Sequence, residues 1–249
     1  MKKLMLVMIV AVLTTLAFHP LPIEEKTVAQ AADSVSSSLP VVSATQQLYD
    51  SLNLQSILNY EAFEQAIVGY AAIPATNKDL LTIIDFTLPS TEKRMYVLDM
   101  KHKKLLFHTI VSHGRNSGGN YATEFSNING SLQSSLGFYL TDATYQGRNG
   151  YSLRLAGQEP GINDQAMARA IVIHGADYCS EQVIQAAGRL GRSYGCPALP
   201  RALNKPIIDT IKDGSLLFIY ADNEDYLANS AVLKDHTALP KLLLAQKGK

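Results

Sequence analysis

The sequence contains no tryptophan and only two cysteines, Cys179 and Cys196, in 249 residues. Two cysteines are too few for a disulfide framework, and no Cys/His spacing predicts a structural zinc site. An excess of charge of one sign is also lacking, since 22 basic side chains balance 22 acidic ones. A chain with balanced charge lacks the excess of basic side chains that is typical of proteins that bind DNA or RNA. We therefore expect no nucleic-acid partner, no metal and no other cofactor.

Long hydrophobic runs are missing except at the N-terminus, where residues 4–18 are apolar apart from two threonines and follow two lysines. This run is shorter than the roughly 20 residues that a membrane-spanning helix needs. It predicts a signal peptide over residues 1–31, with a small-x-small cleavage site at 29–31. An uncleaved anchor is the alternative, and neither cysteine is placed for a lipoprotein anchor. Both alternatives predict an exported protein of the periplasm or cell envelope, with membrane contact only through this segment.

Composition divides the rest of the chain into four parts. Residues 32–45 are rich in small residues and predict a flexible tether. Apolar residues at three- and four-residue steps predict a helical pair over 46–74. Short β-branched runs between turns predict a mainly β domain over 75–225, with one long polar loop at 113–135, and residues 226–249 form a weakly patterned tail. The expected helix caps are Asn59 and Ser180.

The second cysteine lies in a tight turn, between Gly195 and Pro197, and an apolar run upstream ends in His174 and Gly175. A thiol at a turn and a histidine at the end of a buried strand are the two parts of a cysteine nucleophile and its base. A cysteine needs help to ionise at pH 7. The imidazole and a helical turn beginning at Pro197 would both supply it.

The backbone around Cys196 predicts an oxyanion site. Gly195 permits a sharp turn in which the amides of residues 194–196, including those of Tyr194 and Gly195, point at one spot. The histidine needs a partner on its other ring nitrogen, and the carbonyl of Gly175 would suffice.

Each of these features also has a structural explanation. A cysteine beside a Gly-Pro turn is more often a buried core thiol, and a histidine at a strand end is more often a structural residue. Cys179 and Cys196 could close a disulfide in an exported protein. His113, which also ends an apolar run before a glycine, is a second candidate for the base. The residues alone leave these alternatives open.

The order of the motifs resembles that of the murein L,D-transpeptidases. The catalytic motif of that family is His-Gly, a spacer and Ser/Thr-x-Gly-Cys, which corresponds here to His174-Gly175 and residues 193–196. Three further landmarks agree in order: a strand that enters a glycine turn at 109–114, a Gly-Phe element at 134–139, and an Asp-Gly turn before an apolar strand at 213–220.

This resemblance implies a mixed-sheet β-sandwich with peripheral helices, and a monomeric enzyme that acts on peptidoglycan stem tetrapeptides in cell-wall biogenesis or cell-shape control. Cys196 would form a thioacyl-enzyme, and His174 would transfer the proton. The acceptor is open between a stem amine, water and a lipoprotein lysine. The competing class is a non-catalytic envelope protein.

Two positions depart from the family pattern. Tyr194 stands where the family usually has histidine, and Ala198 where it usually has arginine or asparagine. The chemistry therefore carries over to Cys196, His174 and Gly175, whereas the substrate contacts do not. The candidate substrate-binding residues are Ser193, Arg192, Arg154, Arg201 and His113.

Overall fold

A computed structural model describes residues 43–235. The predicted signal peptide, most of the tether and the end of the C-terminal tail lie outside the described residues. The helices are α1 (Ala44–Ser51), α2 (Tyr60–Ala72), α3 (Glu181–Ala187), α4 (Arg201–Ile211), α5 (Glu224–Asn229) and α6 (Ala231–Lys234). The strands are β1 (Asn77–Asp85), β2 (Met95–Asp99), β3 (Lys104–Thr109), β4 (Gly137–Gly147), β5 (Gly150–Gly157), β6 (Val172–Gly175), β7 (Ala198–Leu199) and β8 (Ser215–Tyr220). Within the described range, no helix is long and apolar enough to cross a membrane.

The predicted helical pair is present as α1 and α2. The Ser43 hydroxyl accepts the Gln46 amide at the start of α1, at 3.0 Å. The Asn59 side chain accepts the Glu61 amide at 2.9 Å and caps α2, as expected. Such a cap stabilises a helix by about 1 kcal/mol. The buried face of α2, which includes Phe63, packs into the same core as the strands.

The eight strands form one mixed sheet in the order β3-β2-β1-β8-β4-β5-β6-β7. The β1–β8 and β6–β7 pairs are parallel, and the remaining pairs are antiparallel. The sheet curls so that its two edges meet, because Ser112, beyond the end of β3, bridges Ala198 of β7. The mainly β, mixed-sheet prediction is therefore confirmed.

Ser180 precedes α3, but its hydroxyl donates to the Asp177 carbonyl at 3.0 Å and caps no helix amide. The prediction that the Ser180 side chain caps α3 is therefore wrong, although the helix begins where expected. The hydroxyl instead closes the turn between β6 and α3, since serine also bonds readily to nearby backbone.

Glu159 is a buried carboxylate that holds the C-terminal helices against the sheet. It accepts the Phe138 amide of β4 at 2.8 Å and the Tyr226 hydroxyl of α5 at 3.2 Å, together with the Ser230 hydroxyl. Burial raises the pKa of this carboxyl above its ordinary value. The first part of the segment predicted as a tail is thus helical and packed.

We predict that Glu159→Ala lowers the free energy of unfolding by about 3 kcal/mol, because three buried donors lose their acceptor. Urea denaturation followed by circular dichroism measures the change. Glu124→Ala, which removes an exposed carboxylate, is the matched control and should stay within about 0.5 kcal/mol of wild type. Equal effects of the two substitutions would contradict this account of Glu159.

Candidate active site

The predicted nucleophile and base lie on neighbouring parallel segments. In the β6–β7 register, His174 is opposite Ala198. Cys196, two residues before Ala198, therefore lies beside the start of β6, where the Val172 amide donates to its sulfur at 3.5 Å. The thiol therefore lies beside the first residue of the short strand that carries His174 at its third position.

His174 is buried, and its orientation fixes its tautomer. Its Nδ1 lies 3.1 Å from the Gly175 carbonyl, the acceptor that the sequence suggested. A carbonyl only accepts, so Nδ1 carries the proton and Nε2 keeps its lone pair. Burial lowers the pKa of the ring, and the nearby guanidinium of Arg201 lowers it further. The neutral imidazole is therefore the resting form at pH 7, with Nε2 able to take a proton.

The Cys196 thiol is partly buried and lies between two backbone groups, one in the turn before β6 and one at the first residue of β6. It donates to the Ala170 carbonyl at 3.6 Å and receives the Val172 amide. Burial raises the pKa of the thiol, whereas the Val172 amide and the Arg169 guanidinium lower it. Burial is the largest of these effects, so the thiol is protonated in this structure.

The turn before the cysteine is braced from within. The Ser193 hydroxyl donates to the Cys196 carbonyl at 2.6 Å and accepts the Gly195 amide at 3.1 Å. Gly195 has φ of 125°, and a Cβ there would meet the Gln133 carbonyl at 2.8 Å. Only glycine fits this position. The assignment of Ser193 to substrate is therefore corrected, because its hydroxyl is used inside the turn.

The Gly195 amide was expected in the oxyanion site, but this amide already donates to the Ser193 hydroxyl. Tyr194 is exposed, and its amide donates to no backbone carbonyl of the described residues. The Cys196 amide lies against its own sulfur. The donors left for an oxyanion are therefore the amides of Tyr194 and Cys196.

His113, the second candidate for the base, is a buried structural residue. Its Nδ1 lies 2.8 Å from Nη2 of Arg94. Because a guanidinium only donates, Nδ1 accepts and the ring is neutral. Burial and the Arg94 charge lower the pKa of His113 to about 3. The residue is only 1 % exposed, and its role in binding substrate stays a prediction.

The three candidate arginines differ in what their guanidinium groups contact. Arg192 donates to the carbonyls of Arg115 and Gly118 at 3.0 and 2.8 Å, so it holds the long loop, and its substrate role stays a prediction. Arg201 makes a two-point ion pair with Asp177 at 2.7 and 3.0 Å. Arg154 is exposed and forms no ion pair within the described part of the chain.

Sequence reasoning missed Arg169. It ends the connection before β6 and donates to the carbonyls of Ser126 and Gln133, both at 2.6 Å. It therefore ties the long loop to the thiol, whose pKa it lowers. No motif marked it, because the chain around it has no periodic pattern and its partners are remote in sequence.

The other cysteine is a packing thiol. Cys179 is fully buried with Ile110 and Leu190, and burial raises its pKa to about 11. Both cysteines are free, so the disulfide alternative is not formed in this structure.

A thiol, a neutral histidine and a glycine turn thus lie around the β6–β7 pair of a curled sheet. The family model that matches this chain is the L,D-transpeptidase catalytic domain, over residues 54–220. The chain belongs to this family. Its matched region begins before α2 and runs to the end of β8, so it contains the whole sheet.

Solved structures of the same family are similar at low sequence identity. An L,D-transpeptidase from Mycobacterium smegmatis is 13% identical, with a TM-score of 0.36 over 57% of this chain and 59% of that one. A point mutant of the helical cell shape determining protein Pgp2 from Campylobacter jejuni is 16% identical, with a TM-score of 0.40 over 80% and 64%. This chain spans less than two-thirds of each of these structures. No curated protein sequence matches it.

We predict that the alkylation rate of Cys196 titrates at a higher pH than that of a cysteine peptide in the same buffer, because burial raises the pKa of the thiol. Arg169→Met should move the midpoint to still higher pH, since it removes a cation that stabilises the thiolate. The measurement is iodoacetamide labelling of the folded protein, read by mass spectrometry.

Arg148→Met, in the exposed hairpin turn between β4 and β5, is the matched control and should leave the midpoint unchanged. Arg169→Lys keeps the charge and should move it less than Arg169→Met. Cys196→Ala should leave the folded protein unlabelled, because Cys179 is buried. A midpoint that is the same in wild type and Arg169→Met would contradict the electrostatic role of Arg169.

Proposed function

We propose that this protein is a cysteine-dependent peptidoglycan L,D-transpeptidase that acts on stem tetrapeptides in the cell envelope. Its crosslinking or remodelling activity would serve cell-wall biogenesis and cell shape. The proposal deepens the family assignment, which by itself names neither a nucleophile nor a substrate for this chain.

One observation carries the proposal. The sulfur of Cys196 accepts the Val172 amide at the start of β6, the strand that also carries His174. The bond from Nδ1 to the Gly175 carbonyl leaves Nε2 as the basic nitrogen. A nucleophile, a base and a group that orients the base are the parts that acyl transfer needs.

In the first step, the sulfur of Cys196 attacks the carbonyl at the L-centre of the diaminopimelate residue. His174 Nε2 takes the thiol proton as the carbon–sulfur bond forms. The amides of Tyr194 and Cys196 stabilise the oxyanion, and loss of one such donor typically lowers a rate by about 10²–10³. The bond to the terminal D-alanine then breaks, and His174 returns the proton to the leaving amine.

In the second step, the amine of another stem attacks the thioester carbonyl and the carbon–sulfur bond breaks. The amine loses a proton, and Cys196 recovers its thiol. Water as the acceptor would make the enzyme a carboxypeptidase, and a lipoprotein lysine would make it an anchoring enzyme. The same site serves all three acceptors.

The donor stem also carries a free carboxylate, and Arg154 is placed to bind it. Arg154 is opposite Val172 in the β5–β6 register, so it shares a face with His174. Its guanidinium lies 4.9 Å over the ring of Tyr145, which holds the side chain along the sheet. It has no carboxylate partner in the described residues, unlike Arg201.

The first prediction from this mechanism concerns the products. Purified disaccharide tetrapeptides should yield crosslinked dimer and free D-alanine, separated by liquid chromatography and identified by mass. Cys196→Ala should abolish both products, and His174→Gln should slow them about 10²–10⁴-fold, because the base is lost. Cys179→Ala is the matched control and should keep activity.

Released D-alanine without dimer would identify a carboxypeptidase. Unchanged tetrapeptide with folded wild-type protein, together with the absence of a carbapenem mass adduct on Cys196, would favour the non-catalytic envelope protein instead.

The second prediction concerns Arg154. Arg154→Gln should raise KM for the tetrapeptide about tenfold and leave kcat nearly unchanged, since the lost contact is made equally in the ground state and the transition state. Arg148→Gln, on the neighbouring turn, should leave both constants unchanged. An unaltered KM in Arg154→Gln would remove this residue from the donor site.

A further inference from the structure

Asn204, the fourth residue of α4, is packed against Gly175, the residue that follows His174. The asparagine is only 8 % exposed. A Cβ built on Gly175 would lie 3.0 Å from Cβ, 3.1 Å from Cγ and 3.4 Å from Nδ2 of Asn204. The φ of Gly175 is not positive, so the space beside Asn204, rather than the backbone conformation, requires a glycine there.

The Asn204 side chain is held by β5. Its Nδ2 donates to the Tyr151 carbonyl at 2.8 Å. Because a carbonyl only accepts, the nitrogen must face Tyr151, and this fixes the direction of the amide. Tyr151 precedes Ser152, the β5 residue opposite His174 in the β5–β6 register. Asn204 therefore joins α4 to β5 beside the histidine, with Gly175 in contact with its side chain.

The peptide group between Gly175 and Ala176 is hydrogen-bonded on both sides. Its carbonyl accepts Nδ1–H of His174 at 3.1 Å, and its N–H donates to the Leu199 carbonyl of β7 at 2.9 Å. In a trans peptide these two groups point in opposite directions, so β7 helps to direct the carbonyl that orients the imidazole. Asn204 faces the Cα from which this peptide group starts. A shift of that Cα would turn the peptide group and the ring with it.

We propose that Asn204 is a positioning residue for His174, because it holds Gly175 in the place from which the Gly175 carbonyl accepts Nδ1–H. The inference rests on the proposed function, which uses His174 as the base. When Asn204 is lost, the peptide group turns more freely and the bond to Nδ1 weakens. The ring then populates the Nε2–H tautomer, in which Nε2 has no lone pair to take the thiol proton.

The first measurement is the tautomer of His174, which does not depend on catalysis. The full chain with Cys196→Ala is ¹⁵N-labelled and its ring nitrogens are recorded by NMR above neutral pH, with His174→Gln in the same background to assign the signals. The parent should hold mainly the Nδ1–H form. Asn204→Ala should raise the ratio of the Nε2–H form about fivefold, as expected when one hydrogen bond is lost.

Two further variants separate this role from general support of the helix. Asn204→Leu fills the space beside Gly175 but removes the Nδ2 bond, so it should move the ratio less than Asn204→Ala. Asp209→Ala is the matched control, because Asp209 is also on α4 and accepts the Tyr151 hydroxyl at 2.7 Å. It removes another contact between α4 and β5 at a distance from Gly175, and it should keep the parent ratio.

The second measurement is the kinetics of the enzyme with Cys196 intact. Asn204→Ala should lower kcat for the tetrapeptide about tenfold and leave KM nearly unchanged, because a misplaced base impairs the chemical step and not the binding of substrate. Asp209→Ala should leave both constants unchanged.

An unchanged tautomer ratio in folded Asn204→Ala would overturn the proposal. An equal shift in Asp209→Ala would overturn it too, because any loosening of α4 would then have the same effect. If Asn204→Ala does not fold, the parent ratio in Asn204→Leu would be the contradicting result. A shifted ratio in a protein that makes no dimer would support the positioning role and contradict the transpeptidase activity instead.

Discussion

Parallel pairing of β6 with β7 is the contact on which the site depends. β7 is only two residues long, yet Ala198 is bridged on one side to His174 and on the other to Ser112. This short strand closes the curled sheet and fixes the position of the cysteine two residues before it. Cys196 is thus held next to backbone hydrogen bonds of the sheet, and sites built on strands are more precise than sites on loops.

A buried cation, Arg94, supports the turn before Cys196 from the side opposite β6. Arg94 is fully buried and donates to the Val111 carbonyl at 3.1 and 2.8 Å and to the Leu88 carbonyl at 2.9 Å. Burial lowers its pKa to about 9, which is still above neutrality. Its bond to His113 orients that residue, whose carbonyl accepts the Ser193 amide at 2.9 Å. The hydrogen bonds of the Arg94 guanidinium offset the cost of removing it from water. Through His113, the same side chain also fixes the turn that carries Cys196.

Sequence periodicity was sufficient to predict the elements that depend on residues close together in the chain. The helical pair, the apolar last strand and the Asn59 cap all follow from short-range signals. The Gly175 carbonyl could also be predicted as the hydrogen-bond partner of His174, because the two residues are neighbours in the chain. Interactions over long separations were missed. Arg169 acts on a loop more than 30 residues away, and His113 meets Arg94 across two strands.

The partners of Ser193 and Gly195 have one physical cause. The turn at Gly195, with φ of 125°, leaves buried polar backbone groups that must find partners inside the protein. The Ser193 hydroxyl satisfies two of them, the Gly195 amide and the Cys196 carbonyl. The Arg192 guanidinium acts elsewhere, because it donates to the carbonyls of Arg115 and Gly118 in the long loop. Residue type alone marks both side chains as substrate ligands and does not reveal these backbone partners.

The charge state of the pair follows from the same burial. Removal from water disfavours the thiolate and the imidazolium alike, so it raises one pKa and lowers the other. A resting ion pair would need both shifts reversed. In the proposed mechanism, the proton would therefore move from Cys196 to His174 while the carbon–sulfur bond forms, as general-base catalysis requires. The Val172 amide and Arg169 would contribute at that step, because both lower the pKa of the thiol and so stabilise negative charge on the sulfur.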